Sequence, residues 1–207
     1  AINYDEEANI DDGNCEYDLP PENLSYLSFD GDNDFVLLPG LNGEFSNFSF
    51  TSNVYIESIQ DYHSLFYLGI SAGGSNDFTR SIDLGIDHIN YDPSQLRIHM
   101  NYDYGMVGIQ EFPLNQWVNI TGVFDGDNQM LYFYLDNELV ASGLTSINKI
   151  ILDSADSHNM IGAGWADSQN ARTNYFNGNI SSLAFYNKVL SEDEIISNIQ
   201  IDNEFTL

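Results

Sequence analysis

The segment LRIHMNYDYG places basic and amide residues at every second position. Successive side chains of a β-strand point to opposite faces of the sheet, so we expect Arg97, His99 and Asn101 on one face. Tyr132 and Tyr134 alternate in the same way within MLYFYL. Tyrosine rings stack on the C–H faces of sugars, and Arg, His and Asn side chains hydrogen-bond hydroxyl groups. We predict that these five residues line one concave sheet that binds carbohydrate; a plain solvent-facing strand is the alternative.

A second group of aromatic and basic residues lies in the segment WADSQNARTNY, which is long for a connection between strands. Long ordered loops often carry function. Trp165, Arg172 and Tyr175 could form a site at the rim of the sheet that stacks on a ligand and clamps it. Trp165 could instead belong to the core, because it directly follows the apolar run 161–164.

The patterns of known catalytic sites are missing from the sequence. Glycosidases flank one bond with two carboxylates, and no Glu-x-Asp-x-x-Glu string occurs on any candidate strand. The four histidines do not have the spacing of zinc ligands. His99 and Arg97 with a tyrosine could abstract a proton as a polysaccharide lyase does, but the chain's negative charge would repel a polyuronate. We therefore predict no catalytic residues, and keep the lyase as a remote alternative.

The net charge of the chain restricts the classes of partner that it can bind. Thirty-two acidic residues stand against five basic ones, which gives a formal charge of -27 at pH 7. Nucleic acid is excluded as a partner, because binding a phosphate backbone requires a basic face. No run approaches the ~20 apolar residues of a membrane helix, so membrane insertion is not expected. The composition suits high ionic strength, bound divalent cations, or both.

The pattern of the chain predicts a single all-β domain over residues 20–207. Short apolar or alternating runs are separated by Gly, Asn and Asp turn residues, among them Asn177-Gly178. The runs 117–124 and 130–135 predict a hairpin, and 180–186 predicts a further strand. A short helix is expected from 191 to about 199, since Ser191 and Glu194 match a capping box and Leu190 and Ile195 a hydrophobic staple.

Residues 1–19 differ from the rest in composition: they are acidic, hold little apolar material and run into Pro20-Pro21. They predict a short appended module and linker. The single cysteine, Cys15, leaves no disulfide within the chain. Because the chain begins at Ala1 without a methionine, it is interpreted as a piece of a longer protein, whose other domains are then expected partners.

Three stretches occur in the order found in laminin-G-like, or concanavalin A-like, domains: LSFDGDNDFVLLP, NQWVNITGVFDGDNQMLYFYLDNELVASG and IGAGW with YFNGNISSLAFYNKVLSEDEI. Residues from about 24 to 199 thus resemble this family of secreted proteins. The resemblance implies a two-sheet antiparallel jelly-roll β-sandwich with one short C-terminal helix. It also implies a lectin-like carbohydrate-binding module, although such sandwiches serve many roles. A protein-contacting adhesion module or a structural spacer is the alternative from another class.

The same resemblance implies a calcium ion, structural or bridging a ligand, because the family often carries one. Asp30 and Asp34 lie on the turn that would hold it, and hydrogen-bonding turn aspartates are the alternative. The family usually has an Asp where this chain has Ser181, so one ligand is missing.

Residues 1–19 resemble an Asp-Asp-Gly-x-Cys repeat of cell-surface proteins of marine Bacteroidetes. That likeness implies a secreted or cell-surface protein, with a partner for Cys15 before the first residue.

Overall fold

The computed structural model describes residues 25–38, 41, 43–57, 63–68, 82–86, 96–99, 106–109, 112–152, 159–166 and 171–197. The predicted acidic module 1–19, Cys15 within it, and Asn101 lie outside the described residues. No helix in the described ranges has the length and apolar character needed to cross a bilayer.

Two six-stranded antiparallel sheets make up most of the described chain, with strands numbered in chain order. The first sheet has the order β1 (Leu27–Asp30), β16 (Asn177–Tyr186), β4 (Asn47–Tyr55), β9 (Trp117–Asp125), β10 (Met130–Leu135), β11 (Glu138–Leu144). The second has the order β2 (Val36–Leu37), β13 (Met160–Ile161), β5 (His63–Leu68), β6 (Ile82–Ile86), β7 (Leu96–His99), β8 (Met106–Ile109). Two small pairs complete the set: β3 (Gly43–Phe45) with β12 (Ile150–Leu152), and β14 (Gly164–Ala166) with β15 (Ala171–Thr173).

The core lies between the two large sheets. The Phe66 ring of β5 meets Phe50 of β4 edge-on, with centroids 4.7 Å apart, and Phe185 of β16 at 5.5 Å. Phe66 is 1% exposed. Burying a large apolar side chain contributes roughly 1.5–3 kcal/mol. These contacts join residues far apart in sequence, and they confirm the predicted two-sheet sandwich.

The predicted hairpin and helix are confirmed. β9 pairs with β10 along its length, and Leu131 and Phe133 face the core while Tyr132 and Tyr134 face outward. The helix α1 covers 192–197, and residues 198 and 199 lie outside the described ranges. The Ser191 hydroxyl accepts the Glu194 N–H at 3.3 Å, and the Glu194 carboxylate accepts the Ser191 N–H at 3.0 Å. This reciprocal pair is the capping box.

The predicted turn at Asn177-Gly178 is wrong, because both residues lie inside β16 opposite β1. Gly178 has a φ of +153°, and a Cβ there would lie 2.5 Å from the Tyr55 carbonyl oxygen. A glycine is needed at this position because the backbones approach closely, and a turn plays no part.

Candidate functional site

Helix α1 covers part of the outer face of the first sheet, around Tyr134 on β10 and Val123 on β9. Tyr134 is 8% exposed and packs with Val123, Leu190 and Ile195, and Tyr132 packs against the same cluster. Burial raises the pKa of the Tyr134 phenol, and the nearby Glu192 carboxylate raises it further. The Tyr134 ring therefore packs against a segment of the chain itself, whereas stacking of the partly exposed Tyr132 on a ligand stays a prediction.

Further along this face, buried polar groups bond to one another. Thr121 lies opposite Tyr134 on β10 and opposite Thr51 on β4, so the three side chains share a face. The Asn119 amide donates to the Asn53 side-chain oxygen at 2.8 Å and to the Thr51 hydroxyl at 3.3 Å. These donors and acceptors are used within the protein, so the first sheet offers them to no ligand.

Arg97 and His99 lie on β7 of the second sheet, and not on the sheet of Tyr132 and Tyr134. Arg97 stands opposite Gly85 of β6, and His99 opposite Asp83. The prediction that all five residues line one sheet is therefore wrong. Alternation shows which residues share one side of a strand, but the pairing of distant strands decides which sides meet.

An apolar cluster covers the outer face of the second sheet at β5 and β13. It consists of Tyr67, Met160 and Ala163, with Tyr175 packed against them. Phe66 and Leu68, the neighbours of Tyr67, belong to the core between the sheets. Because side chains alternate along a strand, Tyr67 and its cluster face away from that core. We call this group the outer cluster.

Trp165 and Arg172 are register partners in the β14–β15 hairpin. The segment from 165 to 175, predicted as a loop, thus contains paired strands. Its C-terminal end is fixed to β5: the Ser64 N–H donates to the Asn174 carbonyl at 2.8 Å, and His63 Nδ1 lies 2.8 Å from the Tyr175 carbonyl oxygen. The structure therefore brings Arg172 and Tyr175 to the second sheet, and Trp165 lies beside Arg172 by register.

The Arg172 guanidinium lies over the Phe35 ring, with Cζ 4.2 Å from the ring centroid. Phe35 directly precedes β2, whose Leu37 pairs with Met160 of the outer cluster, while Val36 packs on the core. Alternation therefore places Phe35 on the outer side with Leu37. Phe35 is 36% exposed and Arg172 is partly exposed. A cation and aromatic surfaces thus share the outer face.

Paired residues on neighbouring strands lead across the second sheet from the outer cluster to β7. Met160 pairs with Tyr67, Tyr67 with Asp83, and Asp83 with His99. Neighbouring strands are ~4.8 Å apart, so the backbone at His99 is about 10 Å across the sheet from Tyr67. Arg97 and His99 therefore lie in the same sheet as Tyr67, against which Tyr175 packs.

Phe35 and Tyr67 were not predicted as site residues. Tyr67 lies in the apolar run HSLFYL, where a bulge between Ser64 and Phe66 interrupts the alternation that would mark its face. Phe35 follows a turn and shows no period of its own. The sequence signal at Phe35 is an aromatic residue that directly follows an acidic turn.

The turn with Asp30 and Asp34 is held by its own hydrogen bonds. Asp30 Oδ1 accepts the Asp32 N–H at 2.9 Å, and Asp34 Oδ2 accepts the Asp30 N–H at 3.2 Å. Ser181 follows Ile180, the partner of Leu27, whereas Asp30 pairs with Asn177. Four strand residues, about 13 Å, therefore separate Ser181 from this turn, so an Asp there could not join it.

Calcium takes six to eight oxygen ligands. The described side chains contain no group of three or more His, Cys, Asp or Glu placed to hold a metal. Asp30 and Asp34 alone do not complete a calcium site, and backbone or water oxygens would have to supply most of the ligands. Calcium at this turn stays a prediction.

Residues 30–196 match the sequence model of a laminin-G-type family described as the concanavalin A-like lectin/glucanases superfamily. No protein of curated function matches the chain in sequence. A pentraxin of the SAP-like kind from Limulus polyphemus superposes with a TM-score of 0.62 at 12% identity, over 83% of this chain and 79% of that one. A candidate carbohydrate binding protein from Bacteroides ovatus gives 0.63 at 13% identity, over 85% and 47%.

The CBM40 module of the Ruminococcus gnavus IT-sialidase, bound to α2,3-sialyllactose, gives a TM-score of 0.58 at 17% identity, over 80% of this chain and 96% of the module. At these identities the superpositions show a shared fold. The two-sheet antiparallel sandwich is therefore that of known lectin-like domains.

Proposed function

Since the chain belongs to the concanavalin A-like lectin/glucanase superfamily, we propose that it is a non-catalytic carbohydrate-binding module of a larger secreted or cell-surface protein. Its binding surface is the outer face of the second sheet, around Arg172, Phe35 and Tyr175. The single observation that carries this proposal is the partly exposed Arg172 guanidinium over the exposed Phe35 ring, beside the second sheet.

The chemistry of this surface suits a sugar. Aromatic rings present flat apolar area to the C–H face of a pyranose, and a guanidinium offers five donors to ring and hydroxyl oxygens. Two of the structural neighbours support the same function, since one is named as a carbohydrate binding protein and another was crystallised with a sialylated sugar. Their likeness to this chain is one of fold, so the residues of the second sheet have to supply the recognition.

A glycan array weighted to algal and host polysaccharides tests the proposal, with Tyr175→Ala and Phe35→Ala as variants. We expect both substitutions to weaken binding, because each removes an aromatic surface next to Arg172. Tyr26→Ala is the matched control: Tyr26 is 50% exposed and contacts Trp117 of the first sheet, so its loss should leave binding unchanged. If the folded wild-type protein bound none of the glycans, that result would contradict the proposal.

The array should be run with calcium and again with a chelator. If calcium bridges protein and ligand, the chelator abolishes binding; if calcium is only structural, binding persists while the melting temperature falls. The lyase alternative is tested in the same samples, where release of unsaturated products that disappears with His99→Ala would establish it. We expect no such products.

An adhesion or spacer module is the second candidate, and it is favoured by the edge strand β11. Leu144 is 76% exposed there, Leu139 49% and Val140 40%. Exposed apolar residues on an edge strand are a feature of surfaces that contact another protein. Protein-partner binding that is lost in Leu144→Asp, together with silence on the glycan array, would favour this candidate.

A further inference from the structure

Basic side chains are scarce in this protein, and the described ones are used in two different ways. Lys149 lies 2.9 Å from the Glu44 carboxylate, and Lys188 is paired with Glu194. Arg172 is the third Lys or Arg whose side chain the structure describes, and no carboxylate among the described residues pairs with it. The whole chain carries 32 acidic residues against five basic ones. An arginine without a carboxylate partner is therefore unexpected by composition.

The surroundings of Arg172 hold the guanidinium without neutralising it. The Phe35 ring, 4.2 Å from Cζ, attracts the cation through its negative face. Nε is buried without a hydrogen-bond partner, while the side chain as a whole is partly exposed. Burial without a partner is costly for a charged donor. An anion at the partly exposed side of the guanidinium would neutralise its charge, although Nε itself stays buried.

A guanidinium without a carboxylate partner suits one class of ligand group. Its planar fork matches two oxygens of a carboxylate or another oxyanion through two parallel hydrogen bonds. Among the described residues no carboxylate pairs with it, and the Asp34 carboxylate, next to Phe35 in sequence, accepts the Asp30 N–H. The site therefore combines an apolar surface for a ring with an unused position for one negative group.

We propose that the sugar recognised at this surface is acidic, and that Arg172 binds its carboxylate or sulfate group. This inference rests on the proposed carbohydrate-binding function and narrows it to a ligand class. The overall charge of -27 adds a restriction. Long polyanions are repelled by the protein as a whole, so the ligand carries a single or terminal acidic sugar on an otherwise neutral glycan.

Matched oligosaccharide pairs provide the test, each pair differing only in whether one sugar is acidic or neutral. One pair carries a carboxylate and a second pair a sulfate, which distinguishes the two sources of negative charge. Binding is measured by calorimetry in 150 mM salt, where the Debye length is ~8 Å and the general repulsion is screened. We expect the wild-type protein to bind the acidic member of at least one pair about 10- to 100-fold more tightly than its neutral partner, as for a hydrogen bond to a charged group.

Arg172→Met should abolish this preference, because it removes the charge and keeps an apolar stem. Arg172→Lys should retain only part of the preference for the acidic sugar, since a lysine lacks the planar guanidinium. This variant provides a second measurement if Arg172→Met does not fold. Lys149→Met is the control, with the same change in net charge at a site where the lysine is already paired.

Three results would overturn the inference: equal affinity for acidic and neutral members, a preference retained in Arg172→Met and Arg172→Lys, or a preference lost equally in Lys149→Met. Equal binding of both members refutes the acidic ligand and leaves the carbohydrate-binding function standing. No binding of either neutral or acidic glycans refutes the carbohydrate-binding function itself.

Discussion

Tyr134 separates the two roles that an outward-facing aromatic residue can have in this protein. The sequence suggested a stacking surface for a sugar, whereas the structure places the ring under α1, 8% exposed, against Leu190 and Ile195. Tyr134→Ala should therefore reduce stability and leave glycan binding by the folded protein unchanged. The cost follows from the cavity under the helix: truncating a buried aromatic side chain costs about 3–5 kcal/mol.

We take the lower end, about 3 kcal/mol, because α1 is short and can settle into part of the space. For a protein of this size that corresponds to a fall in melting temperature of about 6–12 °C. Urea unfolding followed by circular dichroism measures the free energy of unfolding directly. Tyr134→Phe is the matched control, since it keeps the ring and removes one hydroxyl, for a change of about 1 kcal/mol or less.

Tyr175→Ala, on the opposite sheet, should show the reverse pattern, with reduced glycan affinity and a smaller change in stability. A Tyr134→Ala protein that unfolded at the wild-type urea concentration, but no longer bound glycan, would contradict this role of the ring. That result would mean that a ligand, and not the helix, uses the ring.

Three further predictions concern the fold and its pH dependence. Phe66→Ala should lower the free energy of unfolding by about 3–5 kcal/mol in urea titrations, because Phe66 joins the two sheets. Gly178→Ala should cost about 3 kcal/mol or more by the same assay, since its Cβ would meet the Tyr55 carbonyl at 2.5 Å; a change under 1 kcal/mol would contradict the close approach. The Lys188 ammonium and the Ser191 N–H lower the pKa of Glu194 from 4.5 to about 2, so its stabilising effect is complete above pH 4.5 and lost as the pH falls toward 2. Thermal melts should therefore show wild type and Glu194→Gln converging over that range, and a difference that stays constant would contradict this role.

Local features of the fold could be predicted from the sequence because they depend on residues close together in the chain. The turn at Asp125-Gly126 joins two adjacent strands, and alternation within β10 gave the correct inward face for Leu131 and Phe133. The capping box of Ser191 and Glu194 needs only a spacing of three residues. The rim residues Arg172 and Tyr175 were likewise named from their own segment, and their role as site residues stays a prediction.

Which outward faces are free was decided only by the tertiary structure. Tyr132 and Tyr134 alternate as regularly as Arg97 and His99, yet one pair lies under α1 and the other strand belongs to the second sheet. Sequence periodicity specifies the two sides of each strand, but strand pairing and the docking of distant segments are long-range events that no local pattern encodes. For the same reason the sequence could list five basic residues but could not show that Arg172, over Phe35, stays free of the described carboxylates.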